Sequence, residues 1–186
     1  MSYQIAKRRF SVDEYYRMAE AGILTEDDRV ELIEGEIIEM SPIGSRHAGC
    51  VNRLTAMLTR QLGDAAVVAV QNPVRIDDYS EPEPDLAVLK PRDDFYTKGH
   101  PKPDDVLLVV EVADSSVEFD RNKKLPLYAG ANIPEVWLVN LPQDMIEIYT
   151  QPVDGTYREI RLVKRGEAVV SKTISNLTLE ADAVLG

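Results

Sequence analysis

Hydrophobic and polar positions change period several times along the chain, and each change predicts an element. Over residues 11–21, Tyr15, Met18 and Ala19 recur at helical spacing behind Ser11 as N-cap and the first-turn acids Asp13 and Glu14. Gly22 supplies the stop. Residues 30–40, VELIEGEIIEM, read almost the same in both directions about Gly35. Glu34 stands against Glu36, Ile33 against Ile37, Leu32 against Ile38 and Glu31 against Glu39, a pattern that predicts a β-hairpin. A second helix is expected over residues 47–62, where Val51, Leu54, Leu58 and Leu62 mark one face, and Gly63 ends it.

Shorter apolar runs follow. Residues 65–71 are β-like, and 74–76 continue them after Pro73, whereas DDYSEPEP at 77–84 reads as a solvated acidic loop. Residues 86–89 are wholly apolar, and VLLVVEV at 106–112 has the continuous β-branched and leucine character of a central strand covered on both faces. A long polar loop, 90–105, separates these two strands. Ser115 with Glu118 forms the pattern of a capping box, so a helix should run toward Gly130, kinked or restarted at Pro126. Residues 133–141 and 145–150 pair as strands across a Pro142-Gln143-Asp144 turn, and 157–185 form a meander. The expected class is α/β, an α+β mixed sheet flanked by helices, with an N-terminal hairpin and a C-terminal antiparallel meander. One domain over 1–186 is expected, its core at about 10–141 and a β extension over 142–186.

Composition narrows the function classes. A 44% hydrophobic fraction in 186 residues argues for a packed core and against disorder. No apolar run approaches the roughly 20 residues that span a bilayer, and no apolar segment follows Lys7, Arg8 and Arg9 as a signal peptide requires. The expectation is a cytoplasmic protein without a membrane partner. Cys50 is the lone cysteine and falls in a helical apolar pattern, so it reads as a core thiol. The net charge of -11 counts against a nucleic-acid partner, because phosphate contacts normally require a basic face.

Glu111 is the most informative residue. A carboxylate inside an apolar strand costs several kcal/mol unless it is paired, protonated or bound to a metal. Strand alternation sends it to the same face as Val109, away from Val110 and Val112. Asp85 stands at the mouth of the preceding short strand, and two acids on neighbouring strands suit a hard divalent cation. On the following helix, Asp120 and Lys124 form an i, i+4 pair with Tyr128 a turn beyond, and Arg121, Lys123 and Lys124 make a local basic cluster. A lysine beside a metal–carboxylate pair suits phosphodiester cleavage, where it positions the attacking water or offsets developing negative charge.

These motifs resemble those of the Uma-two family of restriction-endonuclease-like proteins. The resemblance rests on ELIEGE at 31–36, His47 opening a helix, PDLAV at 84–88, VVEVADSS at 109–116, DRNKKLPLY at 120–128 and GANIPEVWLVN at 130–140. It covers residues 10–140 in order. It implies a fold of the PD-(D/E)xK nuclease superfamily, a Mg²⁺ cofactor with Mn²⁺ as substitute, and DNA as substrate. Residue by residue, it implies Asp85 and Glu111 as catalytic metal ligands, Glu31 as an upstream acid completing the metal site, and His47 at a family position of unassigned role. Position 113 is Ala where the superfamily pattern has lysine. The resemblance places that lysine on the following helix, with Lys124 the match and Lys123 its rival.

Each residue also has a plainer reading. Asp85 could cap a strand, Glu111 could pair with Lys124 or Arg121, and Glu31 could make cross-strand contacts on its hairpin. Glu81, Glu83 and His100 read as solvated loop residues. The leading function is a metal-dependent DNA endonuclease. Its alternatives are a non-catalytic binding or assembly module on a nuclease fold, favoured by the charge and by Ala113, and a hydrolase of small phosphate esters. A homodimer is expected, with Trp137 and the C-terminal apolar strands offered as the surface a second copy covers.

Overall fold

The structure is a computed structural model that describes residues 7–25 and 27–186. Helix α1, Val12–Glu20, begins at Ser11, whose side chain and that of Glu14 form a reciprocal capping box. The hairpin follows as β1, Val30–Ile33, and β2, Glu36–Glu39. Its register differs from the mirror pattern by one residue: Ile33 pairs with Glu36, Leu32 with Ile37 and Glu31 with Ile38. The turn is two residues long, with Glu34 and Gly35 both at positive φ (51° and 80°), and this tight geometry matches strand twist better than a pivot on one glycine.

Helix α2, Ser45–Leu62, leads to the sheet strands β3, Val67–Val70, β4, Leu86–Leu89, and β5, Val106–Ala113. Residues 74–76 do not extend β3. A helical crossover then runs from α3, Val117–Phe119, through a π-helical turn at Asp120–Lys124, to α4, Leu125–Gly130. Pro126 lacks the N–H that an α-helix would send back to residue 122, so a regular α-ladder cannot run through this segment. The predicted Ser115–Glu118 capping box is absent. Ser116 is the N-cap without a side-chain cap bond, and Glu118 pairs instead with Arg121. Strands β6, Glu135–Asn140, β7, Met145–Val153, and β8, Thr156–Lys164, complete a six-stranded sheet in the order β3-β4-β5-β6-β7-β8. Only the β5–β6 pair is parallel, as a crossover helix between them requires. The result is the expected mixed sheet flanked by helices, and β7 and β8 belong to the sheet itself. The chain closes with a short hairpin of β9, Ala168–Val170, and β10, Thr178–Glu180, followed by α5, Ala181–Leu185, a helix too short for periodicity to reveal.

The central strand is buried on both faces. Leu108, Val110 and Val112 pack with α2, α5 and the β9–β10 hairpin, while Val109 and Ala113 pack under Leu125 and Tyr128 of the crossover. Glu111 lies on this second face, as strand alternation predicts. Trp137 is fully buried in the first core, which removes it as a surface for a second copy. Its apolar ring is consumed by the sheet–helix interface of its own chain. No helix among the described residues is long and apolar enough to cross a membrane.

Candidate functional site

Sheet register brings the two central acids together. Leu86 pairs with Val110 across the antiparallel β4–β5 ladder, so continuing that register by one residue sets Asp85 opposite Glu111, on the same face. Asp85 is fixed by its surroundings. Its Oδ2 accepts the Val112 N–H at 2.8 Å, and its Oδ1 lies 2.9 Å from His47 Nε2 and accepts from Gln71 Nε2 at 3.4 Å. The bond to Asp85 raises the His47 pKa above its ordinary value, against the opposing effect of burial.

Glu111 is only 4% exposed. Its Oε1 accepts the Tyr128 hydroxyl at 2.6 Å and lies 3.3 Å from Lys124 Nζ. Burial, with Asp120, Asp85 and Glu31 nearby, pushes its carboxyl up to about 8 despite the lysine. Lys124 is also buried, and its ammonium lies 3.0 Å from Glu31 Oε2. Burial alone would lower the lysine pKa, but the carboxylates of Glu111, Glu31 and Asp120 outweigh it and hold the amine protonated. Glu31 owes its place to the observed hairpin register and accepts the Glu83 N–H at 3.1 Å.

The crossover helix positions the lysine. Glu111, Leu138 and Glu147 lie in one row across β5, β6 and β7. Lys124 reaches the first of these acids, and Arg121 reaches the last at 2.7 Å. Two cation–carboxylate pairs three residues apart therefore dock the π-helical turn on the sheet. Lys123 points elsewhere, exposed and 3.6 Å from Glu34, so Lys124 and not its neighbour enters the site. The basic cluster expected at 121–124 does not form a patch, because rotation along the π-helical turn sends Arg121 to Glu147, Lys123 to Glu34 and Lys124 to Glu31 and Glu111.

Asp85, Glu111, Lys124, Glu31 and His47 all line one cleft of about 430 Å³. Sequence reasoning left further lining residues out of the site, among them Asp120, Glu83 and Gln71. Asp120, buried and accepting from Ser116 Oγ at 2.6 Å, was visible through its helical spacing to Lys124. Glu83, expected in a solvated loop, is half-buried, its carboxyl pKa raised by burial and by Glu31. Gln71 carried no signal. Glu81 is a further correction: it is buried, accepts the Tyr16 hydroxyl and has its other carboxylate oxygen without a hydrogen-bond partner. The loop carrying it is pinned to the hairpin by the Leu32–Glu81 bridge. Seven carboxylates line the cleft (Glu31, Glu39, Glu83, Asp85, Glu111, Asp114 and Asp120), against Arg29 and Lys124. Such a cleft attracts cations and repels a bare polyanion. Among the described residues, no group of three or more His, Cys, Asp or Glu side chains is placed to hold a metal ion.

The comparisons with known proteins agree with this architecture. A solved structure described as "a putative nuclease belonging to DUF820", from Anabaena variabilis, superposes with a TM-score of 0.65. It is 19% identical and the match covers 95% of this chain and 97% of that one, a likeness of fold. No curated protein matches the chain. The family model described as "Uma2: Putative restriction endonuclease" matches residues 12–182. With nearly its whole length matched, the chain belongs to the Uma2 family, of the restriction-endonuclease-like PD-(D/E)xK type.

Proposed function

We propose that the protein is a single-domain, Mg²⁺-dependent endonuclease that hydrolyses DNA phosphodiester bonds. The observation that carries the reading is the convergence of Asp85, Glu111 and Lys124 on one cleft, with the two acids opposite each other in register. The reading is supported by donor chemistry. Mg²⁺ prefers hard oxygen ligands and is commonly held by one or two carboxylates, completing its shell with water and substrate phosphate. Asp85 and Glu111 would hold it as a two-carboxylate site, and Glu31, engaged here by Lys124, would join only by exchanging that partner. Mn²⁺ has the same ligand preference. When bound, the metal supplies Lewis-acid polarisation of the phosphoryl group and a more acidic water.

The chain's own residues have separable tasks in this reading. Lys124 is held as a cation by Glu31 and Glu111, so it acts through charge, stabilising the phosphorane-like oxygens, and not as a general base. Tyr128 fixes the rotamer of Glu111 by donating to Oε1. His47 and the Val112 N–H orient Asp85. The acidic cleft makes cation binding a precondition for approach of a phosphate backbone.

Nicking of supercoiled plasmid by purified protein tests the reading. Mg²⁺ or Mn²⁺ should support cleavage and chelator should stop it, and Asp85→Ala and Glu111→Ala should each abolish it. Cleavage that survives both substitutions would point to a contaminant and overturn the assignment.

A second reading is favoured by a specific observation. The Glu31–Lys124–Glu111 network is already closed on itself, as expected of a nuclease fold retained as a binding module. Calorimetric titration separates the two: that module binds no Mg²⁺ or Mn²⁺, whereas the endonuclease does. A hydrolase of small phosphate esters would cleave nucleotides while leaving plasmid intact.

A further inference from the structure

We infer that β8 is a self-complementary docking edge through which two copies of this chain pair, antiparallel and about a two-fold axis at Ile160. β8 is the last strand of the six-stranded sheet and bonds only to β7, so its outer backbone groups have no strand partner among the described residues. Such an edge is a template for another strand unless it is blocked. The edge is long, nine residues, and its middle stretch is exposed throughout, with Ile160 at 58% and Leu162 at 52% accessibility. Two large apolar side chains on open strand surface are what a partner strand would cover.

Charge decides which partner fits. Ile160 is the midpoint of β8, so pairing about it engages the whole strand. In that register Ile160 meets its own copy, Glu159 meets the second copy's Arg161, and Arg161 meets the second copy's Glu159. Residues directly opposite in an antiparallel pair share a face, so both ion pairs can close. Shifting the axis to residue 159 or to residue 161 sets Glu159 or Arg161 against itself. Shifting it midway between 159 and 160 opposes Arg158 and Arg161, and midway between 160 and 161 no ion pair forms. The one register with full overlap is thus also the one with two opposite-charge pairs, a pattern that a strand guarded only against aggregation has no need of. The interface is isologous, as two-fold assemblies require. None of these residues lines the acidic cleft, so the pairing leaves both clefts open.

Analytical ultracentrifugation across micromolar concentrations tests the inference. The wild-type chain should show a concentration-dependent dimer. Arg161→Glu and Glu159→Arg should each weaken it about tenfold, since every two-fold axis loses two pairs and gains two repulsions. The double swap Glu159→Arg/Arg161→Glu should return the affinity to near wild type, because the reversed charges again face each other. A wild-type monomer throughout, or a dimer indifferent to the single swaps, or a double variant no better than the singles, overturns the inference. Hydrogen exchange on the unaltered chain provides a check that needs no variant. Outward-facing amides of β8 should gain protection as concentration rises, and protection independent of concentration counts against pairing.

Discussion

Two buried glutamates on adjacent strands, Glu111 on β5 and Glu135 on β6, show how differently a sheet can treat the same side chain. Glu135 is fully buried, yet no cation among the described residues pairs with it. Its Oε1 accepts the Trp137 indole N–H, and its Oε2 accepts the Ser171 and Thr173 hydroxyls and the N–H groups of Lys172 and Thr173. Five donors replace the lost hydration, and the result is a latch that ties the 171–173 segment to the sheet. Glu111 is just as hidden but has one hydroxyl and one ammonium, both on the same oxygen. Burial of a carboxylate is therefore not by itself a mark of function. The donor inventory separates a structural carboxylate from one left open toward a cleft.

Substituting each glutamate by its isosteric amide is the sharpest way to break this comparison. Glu135→Gln should show the largest loss, about 2–3 kcal/mol by urea denaturation. With the amide oxygen serving the four donors at Oε2, the NH₂ must face the Trp137 N–H, leaving two buried donors against each other. A loss well under this would mean that the segment is held by something else.

Glu147 on β7 is the intermediate case, paired with Arg121 and accepting from Asn140 and Tyr149. Burial would raise its pKa, but these partners outweigh burial and hold it below the usual carboxylate value. A depressed folded pKa gives stability that is present above the unfolded value near 4.5 and is lost as pH falls through the folded one. Glu147→Gln should therefore cost about 1 kcal/mol at neutral pH, a modest figure because Arg121 is partly exposed. It should also flatten the acid side of the stability profile, and an unchanged acid limb would refute the pairing as a source of stability.

Glu111→Gln should have the smallest effect on folding, below about 1 kcal/mol in metal-free protein, because burial already opposes the charge it removes and Lys124 keeps its nearer partner, Glu31 at 3.0 Å. The same variant should lose metal-supported cleavage entirely. A large stability loss with cleavage intact would reverse the roles assigned to the two glutamates.

Much of this was legible in the residues. Capping at Ser11, the apolar spacing of α2 and the continuous run of β5 are local signals, and local signals survive into the fold because propensity and burial agree there. Glu111 stood out because a charge in a doubly covered strand conflicts with its surroundings. Other features were not legible for equally physical reasons. The hairpin register depended on a two-residue turn with two positive φ values, and a one-residue slip exchanges every facing pair. Glu81 and Glu83 looked solvated because the contacts that bury them come from α1 and β1, more than forty residues earlier in the chain.

The division of labour is clearest at the site itself. The sequence alone determined the candidate acids, the absence of lysine at position 113 and two rival lysines on the next helix. Only tertiary structure decided between those rivals, because helical rotation and the paired anchoring of Arg121 and Lys124 on one row of the sheet turn a single ammonium into the cleft. It also decided that Glu111 and Glu135 differ, since four of the five donors to Glu135 come from the 171–173 segment, which only the fold brings against it. A sequence lists which groups carry charge. Which of them remain unsatisfied depends on what the fold brings against them.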